Sequence, residues 1–530
     1  MSRKRKLELY EMLFKHFGPR EQPTTLEEVS VVFGCSARHG RTLLQQMASL
    51  QWLSWQASPG RGKRALLHCH KEPMKLCYQL MEQLLEEGRP EAAFALFGFN
   101  QRHSFSELKR YVACSTLKSI QKLRIPFHRS IGQLHPHHAQ ERTERHLILH
   151  LFQRLVDDKQ GILTGGVAHH WEVDETGCQW LFYLREGIQF HDQTPMTVHD
   201  VVMSLRALTL SSYWQPLYSH LSEIDMVSEH VIRINLSHPD WYLPELLARA
   251  EASIMAWRHG RIVMADEIPV GSGAFMLDIF SVRVVRLKRH MAFSGEHALL
   301  EQIELWIHPD WAAEKPCAEH YFYLDQPNRV YRVTRSDVGY YYLLFNNPAL
   351  RSQQWGQEIL EVVRQHRTCF EEPAVQLTIM SENTSVGRDY LQQINRASSG
   401  HSLKLQCVER PFGCYQQGVD LTLGSIRIEG SLIPSLLAFF YSYPFWSSIL
   451  LAEEYAELGE FLHQIRGAKE RPEAERLCRQ LLSWLSDQRI LTVLRKEDFA
   501  ITAPCSLQGI EINDAGWCDF TKLWIKGETG

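Results

Sequence analysis

The sequence predicts a mixed α/β protein, with a small winged helix-turn-helix in front of a large α/β region. Three observations predict this class. Positive charge is concentrated at the start: residues 1–71 hold twelve Lys/Arg against five Glu and no Asp, a balance of +7. A chain of net charge −4 therefore carries −11 over the remainder, and such polarity marks one end for a polyanion. That basic stretch also contains three short amphipathic helices with cap signals, followed by a glycine-broken basic turn. From about residue 122 the pattern changes to short strands mixed with helices.

The first helix covers residues 3–17. Leu7, Tyr10, Leu13, Phe14 and Phe17 share one face at spacings of three and four, and Gly18-Pro19 ends it. Thr25-Leu26-Glu27-Glu28 is a capping box that opens a second helix, and Gly34 closes it in the left-handed conformation. Ser36 caps a third helix running to about Leu50, with Leu43, Leu44, Met47 and Leu50 inward. Two helices joined by a short turn containing glycine form a helix-turn-helix. Arg38, His39, Arg41 and Thr42 then occupy the first turns of the recognition helix, where base edges and phosphates are met. A strand at Trp52–Gln56, the turn Ser58–Arg64 and a strand at Ala65–Cys69 form a hairpin. Arg61, Lys63 and Arg64 stand at its tip, a wing to clamp the DNA backbone. The DNA-binding set is thus Ser36, Arg38, His39, Arg41, Thr42, Arg61, Lys63 and Arg64. Gly40 inside the third helix costs about 1 kcal/mol relative to Ala and implies close approach, either to DNA or to the second helix. The plainer alternative is a solvated basic helical domain that binds protein.

Residues 73–121 form a helical connector. Leu76, Leu80, Leu84 and Leu85 recur at helical spacing, Gly88-Arg89-Pro90 interrupts them, and Ser104–Glu107 is a further capping box. The domains expected are 1–72, 73–121 and 122–525. Within the last, Leu123–Phe127 reads as a strand and Glu144–Val156 as a helix. His169–Gly177 reads as a turn with His169 and His170 packing before Trp171. Gln179–Arg185 is a strand, and Thr197 caps a helix from Val198 to Leu210.

Length and composition restrict the function classes. At 530 residues the chain holds about three units. Met1–Lys6 is basic, but the amphipathic run behind it has no apolar core of a secretory leader. No stretch of about 18 apolar residues exists, so no membrane partner is expected. Twelve cysteines without any C-x-x-C pair read as reduced thiols in a cytoplasmic protein. His68-Cys69-His70 and His135-Pro136-His137-His138 lack the further convergent ligands that a zinc site needs, and no nucleotide-loop or nucleophile-elbow pattern occurs. No metal, no cofactor and no catalysis is expected.

The run WEVDETGCQWLFYLREGIQFHDQTPMTVHDVVMSLRAL, residues 171–208, resembles the signature of solute-binding proteins of the oligopeptide/nickel type. Ile268–Phe275 is similar to their Gly-x-Gly-Pro-Tyr/Phe segment, with Ala274 in place of proline, and Tyr340–Asn347 to their strand ending in Asn. With the basic module in front, the chain resembles the SgrR-like transcriptional regulators. The resemblance implies a two-lobed, periplasmic-binding-protein-like (type II) α/β domain with a ligand cleft between hinged lobes. It implies double-stranded DNA and a small molecule as partners, with sugar or sugar phosphate the loosely implied ligand and RNA polymerase a further contact. His191 and Asp192 in the signature are expected to shape a turn. His135 and His138 fall where the loop into the cleft belongs, and Asn346 ends the similar strand. Ile426 and Glu429 fall where peptide-binding members carry Trp and Asp. This departure argues against an oligopeptide and leaves Arg427 and Glu429 to meet something polar. The alternative for that pair is an exposed ion pair at a strand end. The alternative for the whole chain is a solute-binding or transport-accessory protein that does not bind DNA.

Overall fold

The computed structural model describes residues 2–56, 64–97, 104–113, 121–159, 161–265, 267–311, 319–323, 329–336, 339–351, 359–360, 375–382, 391–392, 403–410, 418–443, 445–494 and 498–526. Arg61 and Lys63 lie outside them.

The N-terminal helices form as their caps dictate. Helix α1 (Arg3–Phe17) buries Leu7, Tyr10, Leu13 and Phe17. Helix α2 (Leu26–Phe33) opens on a complete capping box. The Glu28 amide donates to Thr25 Oγ1 at 3.2 Å, and the Thr25 amide donates to Glu28 Oε2 at 3.1 Å. Gly34 ends it at φ +63°. Helix α3 (Ala37–Ser49) starts at Ser36, whose hydroxyl accepts from the His39 amide. The strand β1 (Gln22–Thr24) was not legible, being three residues with no period to read. It joins β2 (Leu53–Gln56) and β3 (Ala65–Cys69) in an antiparallel sheet of order β1-β3-β2. Gly40 faces α2. A Cβ there would stand 2.5 Å from Ser30 Oγ, so the glycine serves helix packing rather than approach to DNA.

Helices α4 (Pro73–Glu86), α5 (Pro90–Phe97) and α6 (Ser104–Ala113) form the connector. Their apolar faces merge with those of α1–α3 into one core, which also takes in Ile279, Val284, Trp306 and Trp311 from the region beyond. That region begins with strand β4 (Lys122–Phe127), at the edge of a four-stranded sheet with Gln302–Ile307, Val284–Arg289 and Phe275–Phe280. Strand alternation sends successive side chains to opposite faces. Leu123, Ile125, Ile303 and Leu305 turn into the core of the first lobe. Lys122, Arg124, Glu304 and Arg286 turn the other way, under the connector.

There they form a buried charge network with α4. Lys122 Nζ lies 2.9 Å from Glu82 and 3.4 Å from Glu304. Arg124 lies 2.5 Å from Glu82 and 3.4 Å from Glu304. Arg286 holds Glu304 at 2.8 Å and Glu86 at 3.2 Å. The Trp306 indole donates to Glu304 at 2.9 Å, and the Tyr111 hydroxyl of α6 donates to Glu82.

The first lobe adds a three-stranded sheet of Glu319–Tyr321, Asp498–Pro504 and Val330–Ser336. The second lobe holds a mixed five-stranded sheet in the order Leu403–Arg410, Val375–Glu382, Leu421–Ile426, Tyr340–Phe345, Leu491–Val493. A four-stranded antiparallel sheet, Ala168–Val173 to Val231–Leu236, shares its core with the second-lobe helices Leu432–Ser442 and Arg471–Asp487. Two expectations are corrected here. Residues 168–173 are strand rather than turn, and His169 and His170 are exposed on it, at an irregularity in the pairing, with their rings beside Tyr183 rather than in the core. The helix expected to reach Val156 is α7 (Arg142–Leu151); Phe152 is extended and Val156 opens a hairpin strand.

Two outcomes follow. Glu304→Ala leaves three buried cations to share Glu82 and Glu86 and costs about 3–5 kcal/mol, read as a lowered denaturation midpoint by circular dichroism. Gly40→Ala yields no net stabilisation in the parent, because the added methyl collides with the Ser30 hydroxyl. In a Ser30→Ala background the same change stabilises by about 1 kcal/mol, measured by thermal or chemical unfolding.

Candidate functional site

Helix α3 presents its polar face outward. Arg38, His39, Arg41 and Thr42 are all exposed, while Gly40, Leu43, Leu44 and Met47 are buried. Among the described residues no ion pair engages Arg38 or Arg41. Thr42 Oγ1 donates to the Arg38 carbonyl at 3.2 Å, and Ser36 is spent on capping. β2 and β3 pair from Leu53↔Cys69 to Gln56↔Leu66, so the hairpin base of the expected wing is present. Arg64, at its foot, lies 3.4 Å from Glu28 at the start of α2 in an exposed pair.

The second candidate is a cavity of about 450 Å³ at the waist, walled by α7, residues 245–250, 273–274, 429–430 and 511–522. Its floor explains the Gly-x-Gly segment. A Cβ at Gly271 would meet the Leu151 carbonyl, and one at Gly273 the His150 carbonyl, so side chains there would push the segment off the end of α7. His191 is structural in the same way: its amide donates to the Gly271 carbonyl at 2.8 Å and its ring lies 3.2 Å from the Gly273 carbonyl.

An ion cluster closes the waist. Arg145 of α7 donates from Nε to Glu429 Oε1 at 2.9 Å, and its outer nitrogen lies 2.5 Å from Glu429 and 2.8 Å from Glu251. Arg249 reaches Glu251 at 2.7 Å and Glu429 at 3.3 Å. Burial works against ionisation of the Glu429 carboxyl, but Arg145 and Arg249 outweigh it and hold it well below the ordinary carboxylate range. Glu251 is lowered for the same balance of reasons. Glu429 is therefore neither exposed nor paired with Arg427; its partners, Arg145 and Arg249, come from far away in sequence, the first by 284 residues. Arg427 donates to the Gln140 carbonyl at 2.7 Å and lines a smaller cavity on the far side of the cluster, beside Tyr213, Trp214 and Phe439.

The remaining sequence candidates sit apart. Asn346 is buried in the second-lobe sheet, donating to the Val419 carbonyl at 3.0 Å and to Thr422 Oγ1 at 2.9 Å. His135 and His138 stack at 4.3 Å in a loop before Gln140. None of these three lines either cavity described above. Burial and then His138 push His135 down to about 4, which keeps it neutral at pH 7. Sequence reasoning missed Arg145, His146, Arg249, Glu251 and Asp519. A signal existed in α7: Arg145, His146 and His150 are charged or titratable positions on a helix that is buried nearly all round. Across the wall Asp519 lies 3.4 Å from the His150 ring, whose Nε2 accepts from the Phe520 amide at 2.9 Å.

The cluster sets a pH dependence. Carboxyls whose folded pKa lies below the unfolded value stabilise fully above that value and lose the contribution as pH falls through the folded pKa. The wild type therefore loses stability as pH falls below 4.5, the ordinary glutamate value. Glu429→Gln shows a shallower fall in denaturation midpoint over that range; an identical slope would rule out the pair as a contributor.

Two families match along the chain. The sugar transport-related sRNA regulator N-terminal family, SgrR_N, matches residues 5–118. The middle of the bacterial extracellular solute-binding proteins, family 5, matches residues 163–315. The chain is 28% identical over 568 residues to the HTH-type transcriptional regulator SgrR of Pectobacterium atrosepticum, covering 99% of each. It is 26% identical over 562 residues to that of Photorhabdus laumondii subsp. laumondii, covering 98% of each. Among solved structures, a dipeptide binding protein of Pseudoalteromonas in complex with Met-Leu superposes with a TM-score of 0.62 at 13% identity, over 76% of this chain and 100% of that one. The murein tripeptide binding protein MppA of Escherichia coli gives 0.61 at 15%, over 78% and 100%. At such identities these two establish the two-lobed type II fold alone. The chain is thus similar over its whole length to the SgrR regulators, with an SgrR_N match at its N-terminal module and a family 5 solute-binding match within its two-lobed region.

Proposed function

We propose that this chain is a DNA-binding transcriptional regulator whose two-lobed half senses a small solute in the cytoplasm. The exposed polar face of α3, with Arg38 and Arg41 engaged by no carboxylate among the described residues, carries the reading. Arginine at such a position offers a planar fork matched to guanine acceptors or phosphate. The β2–β3 hairpin beside it supports a wing whose basic turn holds Arg61, Lys63 and Arg64 in the sequence. The division into a winged head to residue 72, a connector to 121 and a receptor beyond is part of the same proposal. For the receptor, the waist cavity is the solute site, with Glu429 at its wall and Arg427 just beyond. A sugar or sugar phosphate is the solute class to test first, because the matching N-terminal family is described as sugar transport-related. RNA polymerase is a further partner to test. Binding of the solute regulates DNA only to the extent that it prefers one lobe arrangement over another.

The test uses the full chain and duplexes enriched from a random pool. Specific binding weakens with salt at a log–log slope near −0.9 per phosphate contacted. Arg41→Ala relaxes sequence choice by about 1–3 kcal/mol at one or two base positions, whereas Arg61→Ala weakens all duplexes alike. Retention that ignores salt, or normal site choice by both variants, would point instead to a solute-binding protein that does not use DNA.

A further inference from the structure

We infer that Arg145, Arg249 and Trp214 form an oxyanion subsite in the small cavity beside Phe439, which takes a carboxylate or phosphate in competition with Glu429. This rests on the reading of the two-lobed half as a solute receptor, and adds a charged element on the side of the ion cluster away from the waist cavity.

Unmet donors are the first reason. Arg145 and Arg249 border both cavities, whereas Trp214 borders the small one and not the waist cavity. All three side chains are nine-tenths or more buried. Among the described residues, Arg145 Nη1, Arg249 Nη1 and the Trp214 indole nitrogen have no hydrogen-bond partner. Guanidinium and indole nitrogens only donate, so what each lacks is an acceptor, and a buried donor without one is costly. The Arg145 guanidinium lies over the Trp214 ring, 5.1 Å from its centre, which brings two of these side chains together. A carboxylate or phosphate accepts from several donors at once, and its oxygens match the planar guanidinium fork.

Charge decides on which side of the cluster the anion sits. Three arginines, Arg145, Arg249 and Arg427, line the small cavity against one carboxylate, Glu429. The waist cavity carries eight carboxylates against five Lys/Arg. The potential therefore favours an oxyanion in the small cavity and opposes it at the waist. Glu429 shows what the arginines take. It accepts from Arg145 Nε at 2.9 Å and lies 3.3 Å from Arg249. An incoming oxyanion supplies the nitrogens that Glu429 leaves unmet, and takes over the shared ones when the second lobe draws back. A volume of about 50 Å³ exceeds the roughly 10–15 Å³ that one water needs. It admits a head group of a few atoms rather than a whole solute.

The test is calorimetric titration of the full chain at constant ionic strength with inorganic phosphate, acetate, glucose 6-phosphate, glucuronate and glucose. At least one anion binds, and at least tenfold more tightly than glucose. A free anion as occupant shows as phosphate or acetate binding at least as tightly as its sugar derivative, and a solute head group shows as the reverse. Trp214→Phe keeps a ring and removes the donor, and weakens the bound anion at least fivefold. Glu429→Gln removes the competing charge and tightens it at least fivefold; if that variant does not fold, Trp214→Phe decides. Leu149→Trp intrudes into the waist cavity alone and leaves anion affinity within twofold. A panel in which no anion binds, or in which glucose binds as tightly as the anions, overturns the inference. So does an anion whose affinity ignores both Trp214→Phe and Glu429→Gln, since it then sits elsewhere, as on the exposed arginines of α3. An anion lost in Leu149→Trp and kept in Trp214→Phe places the solute in the waist cavity, so the receptor reading stands and the subsite falls. Phosphate or acetate that binds with the stated responses, while neither glucose nor its derivatives bind, keeps the subsite and removes the sugar reading.

Discussion

The junction between the connector helices and the first lobe is arranged around one buried carboxylate. Glu304 sits on a central strand of the first lobe with no exposed surface, and it meets Lys122, Arg124, Arg286 and the Trp306 indole at once. Burial disfavours its charge, yet the three cations hold it down to about 2, so it is ionised throughout the physiological range. A buried ion cluster of this kind adds little net stability over an apolar core, but breaking it is costly, because each partner left behind is a buried charge. Its geometry also specifies a register. Lys122 and Arg124 of β4 must face α4 rather than the lobe core, and a one-residue slip would drive both into a layer of leucine and isoleucine.

The waist uses the same chemistry for a different end. Glu304 is enclosed by one lobe and the helices above it, whereas Glu429 reaches across from the second lobe to Arg145 on the first. The first cluster lies within a continuous core; the second borders a cavity of about 450 Å³. Water and solute can therefore compete for the Arg145–Glu429 pair and cannot reach the Glu304 network. Two ion clusters of similar composition thus differ in what each can respond to, and the difference comes from what packs beside them.

Local features were legible in the sequence because they are encoded locally. Thr25 with Glu28 is a capping box at fixed spacing and forms, and Thr197 caps its helix as expected, with Asp200 completing a second box. Gly34 takes the left-handed conformation that its place after α2 requires. The two-lobed fold was legible through the resemblance of residues 171–208 and 268–275 rather than through periodicity. What could not be read was pairing between distant segments. Arg427 and Glu429 look like partners at a spacing of two, which in a strand puts both on one face, but the strand ends at Ile426 and they part beyond it, Arg427 to the Gln140 carbonyl and Glu429 to Arg145. The true partners of Glu429 come from α7 and from an alanine-rich run near Glu251. Asn346 resembled a site residue because it ends a strand at the lobe edge; its amide is consumed inside the sheet. The end of α7 was misplaced because Leu155 continues the helical spacing, while the backbone turns away at Phe152 to let Gly271 and Gly273 pack beneath it.

The placement of the two clusters limits how the receptor half can act on the DNA-facing helix. Rotation of α3 against the first lobe would have to open the core that α1–α6 share with Trp306 and Trp311, and strip Glu304 or Glu82 of buried partners. Each stranded charge would cost several kcal/mol. Movement of the second lobe about the waist, carried out together with the four-stranded sheet that shares its core, breaks the Arg145–Glu429 contact beside a cavity that already exists. Under the proposed reading, then, solute binding leaves the head fixed on the first lobe and redistributes the second lobe relative to it. The signal reaches DNA as a change in what the second lobe touches or blocks, and not as a hinge between head and receptor.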